Sequence, residues 1–158
     1  MKDPKQTLEE EYGQVLEDFF NPLLPGKPIL EDRLGGCDTA YFDFTTNRTH
    51  VSRKFLEQLC TTGGLDERTA ANGICKHEIG HYVEYPRELS TLLFITYLAE
   101  KNFPKHKKAI VGYWLDVKDN MPQLLKKERG KEIRALYRAM NKLVEAELSE
   151  EERKYRRT

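Results

Sequence analysis

The sequence predicts an α+β fold that is mostly helical, with one small β-sheet or hairpin. Three observations carry this. Long apolar stripes at helical spacing run through residues 7–20 and 130–148. One short segment, "TAYFDFTTN" at 39–47, alternates Ala40, Phe42 and Phe44 against Tyr41 and Asp43, as a strand does. Finally, "KHEIGHYVEYP" at 76–86 sets two of the four histidines four residues apart, well inside a helical stretch.

Taken in order, "TLEEEYGQVLEDFF" (7–20) carries Leu8, Tyr12, Val15, Leu16, Phe19 and Phe20 on one helical stripe. "NPLLPGKPILEDRLGG" (21–36) holds three prolines and three glycines in sixteen residues and reads as a loop. "RTHVS" (48–52) follows a Thr-Thr-Asn turn and is the hairpin partner of the 39–47 strand. "RKFLEQLC" (53–60) is a short helix that "TTGG" ends. Asp66 is the expected N-cap of a helix running through His81 and stopping before Pro86. A second helix covers about 87–101; it is apolar on nearly every side, so burial is expected. Pro104 breaks it. A third spans 105–121, with extension to Arg129 across Pro122, and its Val111, Trp114, Leu115 and Val117 predict a largely buried helix. After Gly130, Ile133, Leu136, Tyr137, Met140, Leu143, Val144 and Leu148 define a fourth long helix. "SEEE" at 149–152 reads as a fresh capping box, with a frayed tail over 149–158.

The 158 residues fit one domain, 1–158, with its core at about 7–148. Lys plus Arg and Asp plus Glu balance at 26 each, so no global field favours nucleic acid or anionic lipid, and "KHKK" (105–108) and "KYRR" (154–157) read as solvated helix ends. The polar, acidic N-terminus has no signal-peptide core, and the longest apolar run, 89–99, is too short to span a bilayer. Three spaced cysteines, Cys37, Cys60 and Cys75, fit free thiols. The expectation is a cytoplasmic protein with neither nucleic-acid nor membrane partners; oligomeric state is open.

On a helix, His77 and His81 point the same way, about 6 Å apart along the axis, and can converge on one ion. Glu78 sits about 100° round from His77, beside such an ion, where it can take a proton from water. Gly73, one turn before His77, and Gly80 leave room for a neighbouring backbone. Cys75 faces away from His77 and is read as a small buried hydrophobe.

A third ligand has to come from elsewhere. Glu84 lies about 10.5 Å along the helix from His77, too far for one ion. Glu100 follows His81 after eighteen residues but sits next to Lys101 near a helix end. Asp116, inside a helix expected to be buried, needs a partner, and a metal supplies one. The favoured set is therefore His77, His81 and Asp116, with Glu100 as the alternative. Asp119 and Asn120 are placed to hold the outer nitrogens of the histidines. Two imidazoles and one carboxylate leave a fourth position open, the mark of a catalytic site.

"HEIGH" on a helix resembles the zincin superfamily of zinc metallopeptidases. The following helices, the second of them bearing an acid, look like the gluzincin and aspzincin branches, most of all small archaeal zincin-like proteins. The resemblance covers residues 39–121; a metzincin third histidine is absent from "HYVEYP". It implies one Zn²⁺ per chain, hydrolysis of peptide bonds with Glu78 as general base and acid, and an extended peptide substrate docked along the 39–52 hairpin. For the oxyanion stabiliser Tyr113 is the candidate, ahead of Tyr97 and His106. Two other classes stay open: a zinc-binding domain that is latent or silent and serves regulation, and a helical interaction protein whose motif is accidental.

Overall fold

The computed structural model describes residues 3–24, 26–32, 38–125 and 130–148, and the expected capping box and tail at 149–158 lie outside them, as does Cys37. Helix α1 (Pro4–Asp18) begins a turn earlier than its apolar stripe. Asp3 caps it, accepting from the Lys5 amide at 3.1 Å, and Pro4 sits in the first turn, where an amide has no helical acceptor. It also ends early, because Phe20 and Asn21 take left-handed backbone angles, φ 62° and 53°.

Three strands follow: β1 (Ile29–Glu31), β2 (Ala40–Asp43) and β3 (Arg48–Ser52), in the order β1-β3-β2. The expected hairpin forms, with Ala40 opposite Val51 and Asp43 opposite Arg48. Its turn is held by the Asp43 carboxylate, which accepts from the hydroxyls of Thr45 and Thr46 at 2.6 and 2.7 Å. Strand β1 corrects the reading of 21–36 as loop. It pairs parallel to β3, Ile29 beside His50, and Glu31 lies 2.5 Å from His50 Nδ1. Three residues among prolines carry no alternation of their own; a partner distant in sequence makes them a strand.

Helix α2 (Arg53–Thr61) starts on Ser52, whose hydroxyl accepts from the Phe55 amide. Helix α3 (Glu67–Val83) starts where expected, with the Asp66 carboxylate accepting from the Thr69 amide at 3.0 Å. It is the centre of the protein. Every residue from Ala70 to Lys76 is buried, as are Glu78, Ile79 and Gly80. Such a run leaves no solvent face, so α3 is enclosed on several sides. Leu8, Tyr12 and Val15 of α1, Leu56 and Leu59 of α2, and Leu136 and Ala139 of α6 (Gly130–Glu147) join Ala70, Ala71, Ile74 and Ile79 in one core. Small side chains make this possible. A Cβ on Gly73 would stand 3.1 Å from both the Glu132 carbonyl and Leu136 Cβ of α6.

Two buried charge groups fix the same contacts. Lys76 Nζ lies 2.9 Å from Glu132 and 3.3 Å from Asp18, so it ties α3 to both α6 and α1. Glu11 accepts from Arg68 at 2.7 Å and from Asn72 at 2.9 Å, a second link from α1 to α3.

Helices α4 (Leu89–Asn102) and α5 (Lys107–Leu125) form a hairpin that corrects two expectations. Helix α4 is not buried: Ala99 alone falls in the core, and Leu93, Phe94 and Tyr97 are about 60% exposed. Among its described side chains, helix α5 is buried only at Asp119 and Asn120, while Trp114 is 46% exposed. An all-apolar sequence signals that a helix avoids water; it does not say which surface will cover it. Helix α5 also runs through Pro122. Among the described residues, no helix is long and apolar enough to cross a membrane.

The close approach of α3 and α6 at Gly73 generates a stability prediction. Gly73→Val should destabilise by about 1–3 kcal/mol, because the branched side chain overpacks a contact with backbone that has little room to yield. Urea unfolding should show a lower midpoint with an unchanged m-value, and an unchanged midpoint would contradict this packing.

Candidate functional site

His77, Glu78 and His81 lie in the second half of α3, where the helix passes beneath β2 and beside α5 and α6. They open onto a cavity of about 300 Å³. One wall is aromatic, formed by Tyr41 and Phe42 of β2 with Phe44; the opposite walls carry Leu115 and Asp116 of α5 and Tyr137 and Met140 of α6.

The two imidazoles stand together, ring centroids 4.8 Å apart and inclined at 69°. Their outer nitrogens are engaged. His81 Nδ1 is 3.1 Å from the carbonyl of Tyr85, just past the end of α3. His77 Nδ1 is 3.3 Å from Asn120 Oδ1 and 3.4 Å from Asp119 Oδ2. All three partners are acceptors, so each Nδ1 carries hydrogen and each neutral ring keeps its lone pair on Nε2. Both Nε2 atoms then face one oxygen: Asp116 Oδ1 lies 3.6 Å from His77 Nε2 and 3.9 Å from His81 Nε2.

These distances are near those of ligands sharing an ion. Two atoms each about 2.0–2.1 Å from one tetrahedral zinc stand about 3.3 Å apart. The donor set therefore fits a cation held by two imidazoles and one carboxylate. Another grouping exists on paper: His77, His81 and Asp119 each offer a ligand atom, all within 4.8 Å of one another. The nearest approach of Asp119 to His77 is at Nδ1, however, the nitrogen that also meets Asn120.

Electrostatics point the same way. Burial opposes a charge on His77, but its hydrogen bond to the Asp119 carboxylate and the charges of Glu78, Asp119 and Asp116 outweigh it and raise its pKa from 6.5 to about 10. The site holds a proton so tightly because three carboxylates surround it, and a metal cation would answer the same field. Glu78 is 4% exposed, and burial raises its carboxyl, although the charges of His77 and His81 oppose the rise. A carboxylate so perturbed is nearer the range of a general base at neutral pH.

The other sequence-stated candidates separate clearly. Glu100 is half exposed and ion-paired with Lys107. Tyr113 is 74% exposed and Tyr97 60%; with His106, also exposed, they are absent from the cavity wall. Cys75 is buried, and burial pushes its thiol well above the usual range, as suits an inert side chain.

Tyr137 is the residue that sequence reasoning passed over, having placed it in the apolar stripe of α6. Its ring meets His77 edge to face at 6.1 Å, and its hydroxyl accepts from Asn120 Nδ2 at 2.6 Å. Asn120 thus spans the two, carbonyl to His77 and amide to Tyr137. Burial foremost, then the charge of Asp116, raises the Tyr137 phenol further above its ordinary value, so it stays a donor at neutral pH. The one hydroxyl in an otherwise aliphatic stripe was the available signal.

No family model matches this chain, and neither a curated protein nor a solved structure matches it.

Two titration results are expected from this geometry. In metal-free protein, NMR should give His77 a pKa well above 6.5, near 10, and Asp119→Asn should bring it down. Because the folded-state value is the raised one, the stability His77 contributes is whole below about pH 6.5 and is lost as pH climbs through about 10. A His77 that titrates near 6.5 would remove the carboxylate cluster from consideration.

Proposed function

We propose that this chain is a zinc-dependent peptidase that hydrolyses peptide bonds. The observation that carries the reading is the convergence of His77 Nε2, His81 Nε2 and Asp116 Oδ1 beside the buried carboxyl of Glu78. His77, His81 and Asp116 would hold the metal, one per chain. Zinc with three protein ligands suits this mixed nitrogen and oxygen set, and when bound it would acidify water and polarise a carbonyl.

The protein's own groups do the rest. Glu78 accepts the proton of the attacking water and passes it to the leaving amine. Asn120 and Asp119 keep hydrogen on His77 Nδ1, and the Tyr85 carbonyl does so for His81. Because Tyr137 accepts from Asn120, its own O–H is directed elsewhere, and in the cavity it can donate to a substrate carbonyl oxygen as charge develops there. Tyr137 takes the role for which Tyr113 was the sequence candidate. The aromatic wall of β2 would meet substrate side chains.

The modest cavity favours a second reading, a zinc-binding domain that is latent or without hydrolysis. About 300 Å³ is at the low end of ligand sites and admits little of a peptide.

Metal analysis and peptide cleavage separate these readings. The wild type should carry one zinc per chain, and Asp116→Ala should lose it, whereas Glu100→Ala should retain it. Glu78→Gln should keep zinc and lower turnover of a peptide library by about 10²-fold to 10⁴-fold. Zinc without any cleavage in the wild type selects the non-hydrolytic reading; absence of zinc rejects both.

Tyr137→Phe should lower kcat by about 10²-fold to 10³-fold with little change in KM. Equal loss from Tyr113→Phe would reverse that assignment.

A further inference from the structure

The α4–α5 hairpin exposes side chains that normally seek cover. Phe94, Tyr97, Phe103 and Trp114 are all 46–61% exposed. Single exposed apolar residues need no explanation, but four aromatic rings on one hairpin do. Helix α4 has 14 residues, about 21 Å, and is apolar around most of its circumference. That length suits a segment lying in a membrane interface rather than one crossing the bilayer.

Past the exposed Glu88 that precedes α4, the charge exposed on the same hairpin is mainly of one sign. Residues 89–125 contain three acids, and each is turned to other use: Glu100 pairs with Lys107, Asp116 faces His77 and His81, and Asp119 is fully buried. The exposed charges left are lysines: Lys101, Lys105 and Lys108 around Phe103 at the hairpin's tip, and Lys118 over the Trp114 ring at 4.9 Å. Pairing this surface with a second copy of itself would bring lysines towards lysines. A surface that offers negative charge above an apolar layer satisfies both features at once. Tyr, Trp and Lys have apolar bodies and polar ends and favour such an interface.

We propose that the α4–α5 hairpin docks on an anionic lipid bilayer, with its aromatic rings entering the interface and the lysines meeting headgroup phosphates. The balanced charge of the whole chain concealed this, because the lysines are matched by acids elsewhere. Docking would hold the cavity beside the membrane surface, since Leu115 and Asp116 line it from the inner side of the same α5. The inference stands independently of any hydrolytic activity.

Trp114 is the chain's only tryptophan, so its emission is a direct probe. The full chain should sediment with vesicles of mixed phosphatidylcholine and phosphatidylglycerol, and Trp114 emission should shift to the blue. Pure phosphatidylcholine vesicles should give little of either, and high salt should release the protein. Lys105→Glu with Lys108→Glu should weaken partitioning about tenfold or more. Phe94→Ser with Phe103→Ser should weaken it as well, and these exposed positions should leave the far-ultraviolet circular dichroism unchanged. The proposal is overturned if mixed vesicles neither bind the protein nor shift the emission, or if both lipids bind equally. A shift produced by polyglutamate alone would assign the surface to an acidic protein. One that grows with protein concentration alongside a dimer would assign it to a second copy.

Discussion

The enclosure of α3 is the constraint on which the rest of the structure depends. A helix with ten buried residues and little hydrophobic bulk is unusual; Ala70, Ala71, Gly73, Cys75 and Gly80 contribute volume sparingly. Their use is proximity. Small residues let α1 and α6 come close, and the buried charges of Lys76 and Glu11 then fix how far along the helix each neighbour sits. Because a buried ion that loses its partner is costly, these pairs specify register as much as they stabilise. The orientation of His77 and His81 follows from that register, since the rings project from the end of the same enclosed helix.

Consequences reach the site through α6 and α5. Packing at Gly73 brings Leu136 against α3, and the next residue of α6 is Tyr137. Asn120 then bridges Tyr137 and His77, so three helices share one hydrogen-bonded chain. A loose α3–α6 contact would separate Tyr137 from the cavity before it altered the histidine pair. Stability and site geometry are here the same packing problem, which is how a small domain can hold side chains within fractions of an ångström without a large core.

Much of this was legible in the sequence. Asp66 as cap, the span of α3 and the hairpin at 39–52 follow from local chemistry and helical spacing; Asp116 does lie near both histidines, but the burial on which its choice rested belongs to Asp119. What escaped depended on partners distant in the chain. Strand β1 exists because β3 lies beside it, and nothing in Ile29–Glu31 foretells a parallel neighbour. Tyr137 looked like one more core residue because periodicity records a face, not what that face meets. The exposure of α4 shows the converse limit. Hydropathy gives the preference of a segment, whereas coverage is a property of its surroundings.

The two carboxylates of α5 differ in exposure and in the ring nitrogens they approach. Asp116 has a side chain 46% exposed and turns Oδ1 towards both Nε2 atoms, so it can reach an ion and still leave that ion open to solvent. Asp119 is wholly buried, one turn further on, at the other nitrogen of His77. An ion drawn to Asp119 would compete with the hydrogen that Asn120 and Asp119 hold on Nδ1, and His81 keeps its own Nδ1 turned to Tyr85. The buried acid is therefore better suited to raising the basicity of the imidazole than to binding beside it. Spacing of three residues puts both acids on one side of α5, and under the proposed zinc reading the outer, solvent-accessible one would meet the ion.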